Sequence, residues 1–221
     1  MDKLLELISD GKFLEATVQT LVYVAIAMGV GGVLGLVIGV ALTVTRQGGL
    51  LANRPVFWVL NFLVNFFRPI PFVILIAALQ PLARVVMGTG IGDRALIFTL
   101  SFAAAFGIAR LVEQNLLTVS PGVIEAARAM GAGPLRTILT VLIPEGLGPL
   151  VLGYTFAFIA VVDMTAMAGV IGSGGLGNFA LQYGYRQFNP WVTWSAVIII
   201  IVIVQLVQVL GNVLARRLLR R

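Results

Sequence analysis

The chain offers few groups that react. It contains no Cys and no His, which removes thiolate nucleophiles, Fe–S ligands, a Ser-His-Asp triad and a histidine zinc site together. Its only lysines, Lys3 and Lys12, stand outside any Walker A string, so ATP is not bound here by a phosphate-cradling loop of that kind. Gly172-Ser173-Gly174-Gly175-Leu176-Gly177 fits the GxGxxG spacing. A dinucleotide site needs a strand before that string and an acid about 20 residues after it. Here an apolar run precedes it and no acid occurs after Asp163. It reads as a glycine-rich helix end and outer turn, with a mobile gate turn as the alternative. The expectation is a chain with no catalytic residue, no metal and no cofactor of its own.

The remaining polar residues gain meaning from their apolar surroundings. Arg68 lies between apolar runs, directly before Pro69 and Pro71. An arginine inside a membrane span is costly and faces a partner or a watery cavity. The prolines free carbonyls that neighbours or a cavity must satisfy. A place as a structural pairing or snorkelling arginine fits. Asp163 follows 17 uncharged residues after Glu145, roughly 26 Å along a helix. There it has two uses: pairing with an arginine of another helix, or meeting the amino group of a solute. Met164 and Met167 follow it. Such adaptable side chains pack helices, and can line the path of an apolar solute.

The elements that carry these residues follow from composition. Of the 221 residues, 59% are hydrophobic, 11% are charged, and mean hydropathy is +1.03. Soluble domains carry about 25% charged residues, so a soluble enzyme and a disordered chain are excluded and a multi-span membrane protein is expected. Charged residues bound five spans, at about 17–45, 55–85, 94–117, 146–171 and 191–215. The second is interrupted at Pro69 and Pro71, where a re-entrant bend would change the count. Met1–Glu15 carries four acids against two lysines, so it is no secretory signal. Its Leu4, Leu5, Leu7, Ile8 pattern suggests a short interfacial helix.

Net charge is +6, and in so apolar a chain it reads as orientation before nucleic acid. With the N-terminus outside, nine basic residues (Arg46, Arg54, Arg110, Arg128, Arg136, Arg216, Arg217, Arg220, Arg221) fall inside and five (Lys3, Lys12, Arg84, Arg94, Arg186) outside. That asymmetry predicts N-out and C-in. Tyr183, Tyr185, Trp191 and Trp194 then form an outer aromatic belt. The four C-terminal arginines anchor at anionic lipid. Gly29, Gly31, Gly32, Gly35 and Gly39 have the spacing of close helix packing, a dimer interface included.

The inner segment 117–145 is more than a connection. Pro121 starts a helix on which Val123, Ile124, Ala127 and Met130 recur at helical spacing. Gly131-Ala132-Gly133-Pro134 stops it, and a second short run from Leu135 to Ile143 ends at Pro144. A short helix with a small-residue face suits a partner's groove, and equally an interfacial link. The string itself is more specific. Glu125-Ala126-Ala127, three residues, Gly131, nine residues, then Val141-Leu142-Ile143-Pro144 resembles the EAA motif of ABC-importer permeases. That resemblance implies a coupling helix at about 121–133 that docks on a separate ATPase subunit.

Phe67–Phe72, Gly88–Gly92, Ile124–Ala132 and Gly172–Gly177, with Gln182–Tyr185, together resemble the methionine-importer permease family over nearly the whole chain. The match at Phe67–Phe72 implies a place for Arg68, Pro69 and Pro71 at the transport path or a helix bend, whereas Asp163 stands where that pattern has a small uncharged residue. The resemblance implies an all-α integral membrane fold with five transmembrane helices per subunit, the type I ABC importer permease fold. It implies a second copy of the chain, two ATPase subunits that bind ATP and Mg, and an extracytoplasmic binding protein, in a bacterial inner membrane. A permease for another amino acid or a dipeptide is the nearest rival. A stand-alone carrier, which has no need of the EAA string, and a membrane scaffold are more distant ones.

Overall fold

The computed structural model describes residues 2–219, and side chains from Lys3 onward. Arg220 and Arg221, expected at anionic lipid on the inner side, lie outside the described residues. The described residues form helices joined by short turns, with no strand among them, as a lipid-embedded backbone requires, because each N–H and C=O must find its partner within the protein. The elements are α1 (Asp2–Ser9), α2 (Lys12–Thr45), α3 (Arg54–Phe67), α4 (Phe72–Met87), α5 (Gly92–Leu116), α6 (Pro121–Ala129), α7 (Pro134–Thr137), α8 (Ile143–Thr165), α9 (Leu176–Phe179) and α10 (Pro190–Leu219). A π-helical turn, Ile138–Leu142, joins α7 to α8.

Four helical stretches are long and apolar enough to cross a membrane: Lys12–Thr45, Gly92–Leu116, Pro134–Thr165 and Pro190–Leu219. The interrupted second span is a pair, α3 and α4, with the chain bending by 116° at the break, and it makes a fifth when counted as one. Two expected boundaries are corrected. The run ending at Pro144 does not end there: Pro144 sits in the first turn of α8, in a helix continuous from Pro134 to Thr165. Proline lacks the N–H of a regular turn, and the π-helical turn before it, closed by Ile143 N–H to Ile138 O, absorbs the mismatch. The fourth span also stops early. Its α-helix ends at Thr165, and Ala168–Ile171 is a separate 3₁₀ turn.

The described residues group into two compact units, one of the chain up to Gly31 with Ile70–Ala104 and Phe158–Val207, the other of Gly32–Pro69 with Ala105–Ala157 and the chain from Gln208 onward. In the first, Leu7 of α1 is buried with Ala16, Leu176, Phe179, Val192 and Ala196, so the N-terminal helix is packed on one face while Leu5 and Ile8 stay exposed. In the second, Leu42, Val64 and Ala109 form a buried cluster from α2, α3 and α5. The glycine stripe of α2 faces α5 here. A Cβ on Gly35 would lie 2.7 Å from Ile108 Cβ, and one on Gly39 2.5 Å from the Ala109 carbonyl oxygen. Gly32 instead receives Tyr154, whose hydroxyl donates to Gly32 O at 2.7 Å.

This contact gives a paired expectation. Gly39→Val forces α2 off α5 and lowers stability by about 1–3 kcal/mol, the cost of overpacking. Gly29→Ala, with nothing within 4 Å of the added Cβ, is neutral or stabilising through helix propensity. Thermal unfolding of the two variants in detergent separates them. Equal midpoints would show that the stripe does not pack within the chain.

Candidate functional site

The segment with the most specific sequence signal folds as a small exposed helix. Pro121 occupies the first turn of α6, where its missing N–H costs nothing. Ala127, 4% exposed, turns inward and anchors the helix. Glu125, Ala126 and Ala129 point outward, and Met130 is 83% exposed. The end is a Schellman motif. Gly131 N–H donates to Arg128 O at 2.9 Å and Ala132 N–H to Ala127 O at 3.1 Å, with Gly131 left-handed at φ +82°. No atom lies within 4 Å of a Cβ built on Gly131, so the glycine serves the backbone conformation. A cavity of about 300 Å³ opens beside the helix, lined by Ile124, Glu125 and Arg128 with Thr43 and Arg46 from the end of α2. Pro144 is apart from this knob, inside α8.

Arg68 closes α3, its N–H donating to Val64 O at 3.1 Å. Pro69 prevents the helix from continuing. Pro71 starts α4 by accepting hydrogen bonds from the N–H groups of Ile74 and Leu75, both at 2.9 Å. The Arg68 side chain is exposed and makes no ion pair or hydrogen bond among the described residues. Asp163 lies two residues before the end of α8 and is exposed. Its carbonyl accepts from Ala166 N–H at 3.0 Å, while its carboxylate has no arginine partner among the described residues. Met164 is half-buried and Met167 exposed beside it. No group of three potential metal ligands converges among the described residues.

Two polar networks escaped the sequence reading. The first ties α3 to α5. Arg110 pairs with Glu113, and its guanidinium also donates to Asn65 Oδ1 at 3.1 Å and Asn61 Oδ1 at 3.4 Å. Glu113 is 5% exposed. Arg110 therefore belongs to a helix interior and does not serve as one of the inner basic residues counted for orientation. The available signal was spacing: two asparagines four apart in one apolar stretch, and opposite charges three apart in another. The second network holds the glycine turn. Ser173 Oγ donates to Asp93 Oδ1 at 2.7 Å and shares a 3.2 Å hydrogen bond with the Tyr23 hydroxyl. Gln19 Oε1 accepts from Gly175 N–H at 2.9 Å, and Thr20 Oγ1 from Leu176 N–H at 2.8 Å. Gly172 and Gly175 have φ of +70° and +96°. The turn is thus a pinned connector that launches α9 and a further π-helical turn, Ala180–Gly184.

Residues 31–221 match the family described as binding-protein-dependent transport system inner membrane component. The chain is similar to the probable D-methionine transport system permease protein MetI of Vibrio cholerae, 42% identical over 204 residues, which are 92% of this chain and 91% of that one. It is similar to the methionine import system permease protein MetP of Bacillus subtilis, 43% identical over 173 residues and 78% of each chain. Among solved structures, a chain of the MetNI methionine ABC transporter in an inward-facing conformation matches with TM-score 0.89 at 40% identity, covering 93% of this chain and 95% of that one. A crystal structure of an amino acid ABC transporter with histidines matches with TM-score 0.77 at 23% identity and shows likeness of fold alone.

The half-buried ion pair sets an expectation for stability. Glu113→Ala leaves Arg110 with only its asparagine contacts and costs about 3–5 kcal/mol, the loss typical when one partner of a buried pair is removed. Glu113→Gln keeps an acceptor for the guanidinium and costs less. Thermal melts of the purified chain check the order. An unaltered midpoint for Glu113→Ala would mean that the pair is solvated.

Proposed function

The chain belongs to the binding-protein-dependent transport system inner membrane component family, and from that premise we propose that it is the membrane-spanning subunit of an ATP-driven importer of methionine. Its fold is the all-helical type I importer permease fold. The methionine assignment is supported by relatives at about 40% identity over most of both chains. The coupling part is carried by one observation: α6 projects Glu125, Ala126, Ala129 and Met130 outward and turns sharply at a left-handed glycine.

In this reading the chain does no bond chemistry. Two copies pair about a two-fold axis, because the helices of one chain form half of a pathway. Each copy presents α6 to a cleft of an ATPase subunit. Those subunits bind ATP and Mg and supply the energy of the cycle. When they close, α6 of each copy moves with its cleft, and the spans exchange inward-facing for outward-facing arrangements. Gly131 keeps the knob compact, and buried Ala127 ties it to its own unit. A binding protein delivers methionine on the outer side. Arg68, Pro69 and Pro71 mark a bend in the pathway wall. Asp163 and Met164 sit at the end of α8 and Met167 just beyond it, near a gate. The carboxylate there meets either the amino group of the solute or an arginine of the second copy. The N-terminus lies outside and the C-terminus inside, with α6 on the cytoplasmic side.

Glu125→Arg and Gly131→Trp should each reduce stimulation of the ATPase by loaded binding protein about tenfold or more, the loss of a coupling of order 1–2 kcal/mol, while the membrane part still assembles. Normal transport by both variants would remove the coupling assignment. Orientation is tested independently. Single cysteines introduced at Ser9 and Leu218, in a chain without native Cys, should react with an impermeant reagent from opposite sides. Reaction from one side would mean an even number of crossings.

A further inference from the structure

The connection between α2 and α3 builds a cavity of about 520 Å³ that the coupling scheme does not use. Thr45 and Arg46 line it from the end of α2, Asn53 and Arg54 from the start of α3, and Phe57 and Trp58 from the turn beyond. The connection is held by its own hydrogen bonds. Gly49 N–H to Arg46 O, Leu51 N–H to Val44 O and Asn53 N–H to Thr45 O are each 2.9 Å. Asn53 Oδ1 caps α3 by accepting from Val56 N–H at 3.2 Å. The two arginines therefore stand at fixed ends of a closed turn. Neither guanidinium has an ion pair or hydrogen bond among the described residues, and no Asp or Glu lines the cavity. Two uncompensated guanidiniums at one cavity suit a phosphate, which each can meet through paired N–H donors.

The exposed face of α3 narrows the choice. Trp58 is 57% exposed at the cavity, and Phe62 and Phe66 follow it one and two turns on, also exposed. The spacing sets the three rings on one side of the helix in a row about 12 Å long. Phe62 and Phe66 stack with centroids 5.8 Å apart. A cationic cavity from which an aromatic track departs is shaped for an amphiphile. A soluble anion makes no use of the track, and an acidic protein segment leaves it uncovered. We propose that the cavity binds the phosphate headgroup of an anionic phospholipid, with an acyl chain lying along Trp58, Phe62 and Phe66. Arg46 also lines the cavity beside α6, with Glu125 and Arg128, so the headgroup and the coupling region share one side chain. The site depends on the importer reading only for its leaflet, the cytoplasmic one.

The test uses the complete importer in detergent, equilibrated with equal amounts of phosphatidylglycerol and phosphatidylcholine, with retained lipids counted by mass spectrometry. Phosphatidylglycerol should be retained preferentially. Near a membrane surface one basic residue is worth about fivefold in lipid affinity, so Arg46→Gln with Arg54→Gln should cut that preference by about tenfold or more. Arg46→Lys with Arg54→Lys should keep most of it, which separates loss of charge from misfolding. Arg84→Gln with Arg94→Gln, the same change in net charge elsewhere, should leave it intact. An equal loss in that control would overturn the site in favour of diffuse charge. Displacement of the lipid by millimolar inorganic phosphate would assign the cavity to a free anion. Unchanged lipid with loss of the ATPase subunits from the glutamine variant would assign it to an acidic protein segment. Either result overturns the proposal, and neither bears on whether the complex imports methionine.

Discussion

A backbone N–H or C=O in hydrocarbon has no water to bond. This constraint orders the molecule. Long helices satisfy it along their length, and each interruption needs a local answer. At Arg68–Pro71 the answer is short-range: Arg68 N–H returns to Val64 O, and the Pro71 carbonyl takes two N–H groups from the start of α4. Before Pro144 it is the π-helical turn. At Gly172–Gly177 local bonds do not suffice, and side chains distant in sequence, Gln19 and Thr20, accept the N–H groups of Gly175 and Leu176. The turn is glycine-rich because its backbone passes through left-handed conformations, and a Cβ on Gly175 would also lie 3.0 Å from Thr20 Oγ1.

Once the backbone is satisfied, apolar burial does little to hold helices together in lipid, since lipid tails are as apolar as leucine. Close approach and polar pairs take over. Gly35 and Gly39 bring α2 against α5, and Arg110 with Glu113, Asn61 and Asn65 binds α5 to α3. α5 ends at Leu116, and α6 begins at Pro121. A helix fixed by such contacts sets the place where α6 starts.

Much of this was legible in the sequence. Charged residues bounded the spans because charge is costly in hydrocarbon, and Lys12–Thr45 and Gly92–Leu116 differ only slightly from the ranges they implied. The knob at Pro121–Gly131 was legible because proline start, glycine stop and helical spacing coincide. The features that stayed hidden depend on partners remote in the chain. Hydropathy carried the fourth span through Ile171, since Ala166 to Ile171 is as apolar as the helix before it. The helix stops at Thr165, and the segment beyond it is fastened by Ser173 to Asp93, 80 residues away. The glycine stripe announced close packing but not its neighbour. Arg110 was counted with the inner charges, and its partners Glu113, Asn61 and Asn65 showed only once the helices were placed.

On the function proposed above, this chain moves methionine only when ATPase subunits drive it. The direct measurement is uptake of labelled methionine into liposomes holding the chain with its ATPase, supplied with loaded binding protein and with or without ATP inside. Accumulation should require ATP, the ATPase and the binding protein together. Accumulation by the chain alone, driven by a methionine or proton gradient without ATP, would contradict it and make the chain a stand-alone carrier.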